Sequence, residues 1–92
     1  MTVITMRGEY DAARHDELDQ LLDRYGDSDP LAIDMHEVEG IDSGALRSLV
    51  RFQKARKEAG RSPAVLLQPS AAVISFLDLA NVAGAFDIRD RA

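Results

Sequence analysis

The chain has 92 residues, 46% of them hydrophobic and 29% charged, which is enough for one small globular domain and too few for two. With a formal net charge of −5, no cysteine and only two histidines, it excludes disulfides and thiolate chemistry and leaves the common zinc patterns unfilled. No stretch approaches the roughly 18 apolar residues of a membrane span, and MTVITMRGEYD lacks a basic start before an apolar run, so a cytoplasmic domain over residues 1–92 with no membrane partner is expected.

Val3 to Met6 is rich in β-branched and apolar residues and predicts a short strand that turns at Arg7-Gly8. From Ala12 to Tyr25, Leu18, Leu21, Leu22 and Tyr25 recur at helical spacing among Asp16, Glu17, Asp19, Asp23 and Arg24, an amphipathic helix with an acidic outer face. The cluster from Gly26 to Pro30 breaks it. Leu31, Ile33 and Met35 then alternate with Ala32 and Asp34 as in a strand, and His36 to Gly40 reads as a polar connection interrupted by Val38.

Asp42, Ser43 and Gly44 favour a helix start, and the longest helical pattern in the chain follows them to Gly60. Its apolar side carries Ala45, Leu46, Leu49, Val50 and Phe52, and Arg47, Arg51 and Lys54 gather opposite. Read from the residues alone, Ser43 is the N-cap, placed where the helix dipole favours negative charge. Arg56 and Lys57 sit near the negative end of that dipole.

Ala64 to Leu67 is a continuous apolar run, as in a strand buried on both faces. Ser70 caps a third helix with a buried stripe of Val73, Ile74 and Leu77, ended by Asn81 and Gly84; Phe86 and Ile88 around Asp87 predict a last strand, at an edge. The expected core includes Leu46, Leu49, Val50, Leu66, Ile74 and Leu77. The βαβαβαβ order implies an α/β domain with a mixed, mostly parallel sheet of four to five strands covered by helices. Ligands and partners of such sheets meet the carboxyl ends of the strands, where Asp42 and Ser43 fall.

Enzyme motifs are missing. There is no phosphate loop and no GxGxxG, and Ile41 and Ala45 stand where a hydrolase elbow around Ser43 needs glycines. A metal-bound receiver site has acids enough in Asp34, Glu37, Glu39 and Asp42, but its lysine is lacking, since Lys54 and Lys57 lie inside the central helix. No cofactor is expected. Residues 1 to 42 hold twelve acids against three bases, and residues 43 to 92 hold eight bases against four acids. A net acidic chain with few aromatics is a poor fit to nucleic acid. His15 and His36 read as surface residues without a role.

GEYD at Gly8 to Asp11, LAIDM at Leu31 to Met35, IDSGAL at Ile41 to Leu46, the PSAAVISFLDLANV helix and the closing FDI resemble the STAS domain of bacterial anti-sigma factor antagonists. The resemblance spans nearly the whole chain, and its most specific part is Asp-Ser before Gly, Ala and Leu. It implies a non-enzymatic switch. The unphosphorylated form would bind a kinase anti-sigma factor and release the sigma factor; phosphorylation of Ser43 would turn binding off, and a serine phosphatase would restore it. Asp11, Asp34, Asp42, Ser43, Gly44 and Arg47 would form the partner-binding surface. The family pattern reads Asp-Ser-Ser or Thr-Gly-Leu-Gly, whereas Gly44 replaces the second hydroxyl residue here, and Ala45 and Arg47 replace the glycines. Arg47, one turn beyond Ser43, is placed to pair with a phosphate. The alternative implied by the same fold is an accessory STAS subunit of a lipid-transport ABC complex, without phosphorylation.

Overall fold

Strand propensity at the N-terminus produces a longer element than its β-branched core of residues. The computed structural model describes residues 1–81, 84 and 86–89, with strand β1 at Thr2–Tyr10, a 3-10 turn at Ala12–Arg14 and helix α1 at His15–Tyr25. Strand β2 (Leu31–Ile41), helix α2 (Ser43–Glu58), strand β3 (Val65–Leu67), helix α3 (Ala71–Leu79) and strand β4 (Asp87–Arg89) follow. The sheet order is β1-β2-β3-β4 and every described pairing is parallel, so the four described strands contain no antiparallel member.

Parallel neighbours require crossovers, and α1, α2 and α3 supply them. Consecutive right-handed crossovers in sequential order place successive helices on one face of the sheet. The core agrees: Ile4, Met6, Leu31, Ile33, Met35 and Leu66 pack with Leu18, Leu22, Leu49, Val73 and Leu77. Ala32, Val65 and Leu67 form a separate small cluster on the other face, without a helix residue in it. β3 is therefore buried on both faces, as its apolar run predicts. Ile74 leaves the expected core: it is 36% exposed, while Val73 and Leu77 on either side of it in the helical repeat are buried.

The expected turn at Arg7-Gly8 is instead a continuous stretch of β1, paired where the register with β2 shifts. Gly8 has φ +76° and leaves room for Arg14, whose Nη1 would lie 3.2 Å from a Cβ at that position. Arg14 donates to the carbonyls of Arg7 and Glu9 at 2.6 and 3.2 Å and stacks over the Tyr10 ring at 4.0 Å. The expected polar connection over His36 to Gly40 is likewise part of β2. Thr5 pairs with Asp34 but Arg7 with Glu37, and Gly8 pairs with Val38 but Glu9 with Gly40, so β2 carries one extra residue at each of two places. Each extra residue reverses the side-chain phase, and the inward set runs Leu31, Ile33, Met35, then Val38 and Ile41.

Arg56 lies in the last turn of α2, as its reading near the negative end of the dipole expects, and has a further role there. It is buried, and its guanidinium donates to the carbonyls of Gly26, Ser28 and Ser62 at 3.2, 2.7 and 2.9 Å. The end of α2 is thereby tied to the loop that leads into β2, and burial pushes the Arg56 pKa below its ordinary value. Among the described residues no helix is long and apolar enough to cross a membrane.

Candidate functional site

The carboxyl ends of β1 and β2 lie side by side. Tyr10 pairs with Ile41, and the next amide, Asp42 N–H, donates to the Tyr10 carbonyl at 3.0 Å. Each chain then turns through an aspartate. Asp11 Oδ1 accepts from Ala13 N–H at 3.0 Å and caps the 3-10 turn, and Asp42 Oδ1 accepts from Ala45 N–H at 2.8 Å and caps α2.

The cap of α2 is therefore Asp42, and the expectation that Ser43 fills that place is corrected. Asp42 has extended backbone angles (φ −95°, ψ 179°), and its carbonyl accepts the first helical bond, from Leu46 N–H at 3.0 Å. Ser43 is the first residue inside the helix and is exposed. Among the described residues its hydroxyl has no hydrogen-bond partner. The helix start needs one side-chain acceptor at this point, and the carboxylate, with its full charge beside the dipole's positive end, fills the role.

The Asp42 carboxyl is held below the usual carboxylate range, first by the Ala45 amide and next by His15, whose Nε2 is 2.8 Å from Oδ1. His15 opens α1, and the sequence alone gave it no role. The one signal that pointed toward it is the glycine at 44: a Cβ there would overlap Cε1 of the His15 ring and lie 2.7 Å from Nε2. Arg47 is exposed one turn beyond Ser43 and has no ion pair among the described residues.

Asp11, Asp42, Ser43, Gly44 and Arg47 thus share one end of the sheet, and Asp34 does not. Asp34 lies seven residues before Ile41 on β2, roughly 20 Å away at about 3.3 Å per residue. Its neighbours Ile33 and Met35 face the helices, so Asp34 faces the other side. There it accepts from His36 N–H at 3.0 Å and meets the His36 ring Nδ1 at 2.7 Å; these bonds lower the Asp34 pKa and raise that of His36. Among the described residues no group of three or more His, Cys, Asp or Glu is disposed to hold a metal ion.

A protein-family model described as Mlab, STAS domain matches residues 1–90. No curated protein matches the chain. Among solved structures, a Thermotoga maritima protein assigned as an anti-sigma factor antagonist superposes with a TM-score of 0.78 at 22% identity, over 96% of this chain and 79% of that one. A sulfate transporter family protein from Wolinella succinogenes gives 0.80 at 19% identity, over 98% and 76% of the two chains. The anti-sigma factor antagonist SpoIIAA in its unphosphorylated form gives 0.76 at 13% identity, over 94% and 76%. At these identities the likeness shows the fold.

Proposed function

The chain belongs to the STAS-domain family, and from that premise we propose that it is an anti-sigma factor antagonist whose binding is switched by phosphorylation of Ser43. The unphosphorylated form binds an anti-sigma factor that is also the serine kinase, and so frees the sigma factor. A phosphatase resets the cycle. The chain acts as a binding module rather than as an enzyme, and the surface that meets the partner is the end of the sheet bearing Asp11, Asp42, Ser43, Gly44 and Arg47.

The observation that carries this reading is the exposed Ser43 hydroxyl, free of the capping role that Asp42 performs. A modifying enzyme reaching the Ser43 hydroxyl breaks no side-chain hydrogen bond among the described residues. Phosphate there adds about −1.5 to −2 units of charge. The start of α2 tolerates that charge through the dipole, but a partner fitted to a neutral hydroxyl does not. Burying the dianion unpaired costs several kcal/mol, on the order of what abolishes a complex.

The test is the intact mass of the protein purified from its own cells, before and after phosphatase treatment, with peptide mapping of the modified site. A single phosphate on Ser43 that phosphatase removes is the expected result. A chain unmodified in growth and stress, with Ser43→Ala fully functional, refutes it. That outcome favours the second reading, an accessory STAS subunit of a lipid-transport ABC complex, to which the Mlab description of the family model lends support.

A further inference from the structure

One side chain connects the start of α1 to the start of α2. His15 Nε2 lies 2.8 Å from Asp42 Oδ1, the same oxygen that accepts the Ala45 amide. The ring rests on the backbone of Gly44, in the volume a Cβ would take. His15 follows directly on the 3-10 turn that Asp11 caps, so the ring bridges the Asp11 turn and the Ser43 turn.

We propose that His15 is a positioning residue of the Ser43 site, admitted by the missing side chain of Gly44, which holds the Asp42 carboxylate in place and joins the two turns into one surface. The physical reason is rotational freedom. A carboxylate held only by backbone amides of the first helical turn, chiefly that of Ala45, retains motion about its terminal torsion, and its second oxygen can swing to accept the proton of the neighbouring Ser43 hydroxyl. The bond from His15 removes that freedom and leaves the hydroxyl facing solvent. Glycine at 44 is then required by the histidine at 15 rather than by backbone conformation, because Gly44 is an ordinary helical residue and its φ is not positive. The importance of this surface rests on the partner-binding reading above, whereas the geometry stands apart from it.

The experiment uses the full chain as wild type, His15→Ala, His15→Gln, Gly44→Ala and the His15→Ala/Gly44→Ala double variant. Carbon-13 NMR follows the titration of the Asp42 carboxyl, and amide spectra follow Ala13 and Ala45. His15→Ala is expected to raise the Asp42 midpoint, Gly44→Ala to raise it equally by expelling the ring, and the double variant to add nothing further. His15→Gln, which keeps a donor, restores most of the wild-type value. Gly44→Ala is expected to shift the Ala13 and Ala45 amides together in the wild type and the Ala45 amide alone once His15 is gone. An unchanged Asp42 midpoint in Gly44→Ala, additive effects of the two single variants, or a silent Ala13 amide overturns the proposal. A chain never phosphorylated on Ser43 leaves all these readouts as they are, so the two failures are distinguishable.

Discussion

Asp42 and His15 share a contact of 2.8 Å that links the cap of the central helix to the first residue of the preceding one. The carboxylate has a lowered pKa in the folded chain, so its contribution to stability is fully present above the unfolded aspartate value and is lost as pH falls through the folded value. Asp29 and Asp87, bonded to Ser62 and Arg89, act in the same direction. Asp42→Asn keeps a capping oxygen and removes the charge. Urea unfolding is therefore expected to show a modest loss near neutrality, where the charge contributes, and a shallower fall on the acid side, so that the gap to the wild type closes as pH falls. An acid limb as steep as in the wild type would exclude Asp42 from it.

Ser43→Ala and Ser43→Asp test the free hydroxyl. Since the hydroxyl makes no bond among the described residues, both variants are expected to unfold within about 0.5 kcal/mol of the wild type. On the proposed switch, Ser43→Asp weakens capture of an anti-sigma factor partner by about tenfold or more, about 1.4 kcal/mol, with Ser43→Ala close to the wild type. Calorimetric titration against the partner measures both. A large loss of stability in either variant would point to a structural serine.

Arg47 stands one turn from Ser43 without an ion pair among the described residues, so its charge is available to a phosphate. In a chain carrying phosphoserine at position 43, Arg47→Ala is expected to lower stability by a few tenths of a kcal/mol at low salt, and by less at high salt. In the unmodified chain the same substitution should have no effect. Equal losses in both forms, read from thermal unfolding, would remove Arg47 from the phosphate's surroundings.

Arg56 is the structural counterpart to Arg47 on the same helix. Removing its guanidinium leaves the carbonyls of Gly26, Ser28 and Ser62 without their donor, and Arg56→Ala is expected to cost about 3 kcal/mol in denaturant unfolding. Arg56→Lys should recover a minor part, since a point charge cannot reproduce the fork that reaches three carbonyls. A lysine variant as stable as the wild type would contradict this geometry.

The elements that were legible in the sequence are those with an uninterrupted period. Leu18, Leu22 and Tyr25 announce α1, Leu46 and Leu49 announce α2, and the Ala64 to Leu67 run announces β3. What escaped has physical reasons. The second half of β2 was hidden because its extra residues break the two-residue period, so Val38 looks isolated among polar neighbours. Gly8 looks like a turn because glycine, which takes a positive φ here inside a continuous strand, serves a chain reversal equally well. At the site, Asp42 and Ser43 are both good caps, and the choice between them depends on which residue keeps extended angles as the chain leaves β2. The role of His15 depends on a contact across 27 residues that no local pattern encodes.

The two extra residues of β2 have an arithmetic that bears on how this chain can vary. Each one alone would deliver Ile41 and Asp42 to the wrong side of the sheet; together they cancel, and Leu31 and Ile41 emerge on the same side. The constraint on the segment from His36 to Gly40 is therefore one of count modulo two more than of residue identity. Single-residue insertions or deletions there would turn the Asp42-Ser43 corner away from the helices, whereas paired ones would preserve it. Tolerance to length change should alternate with its parity.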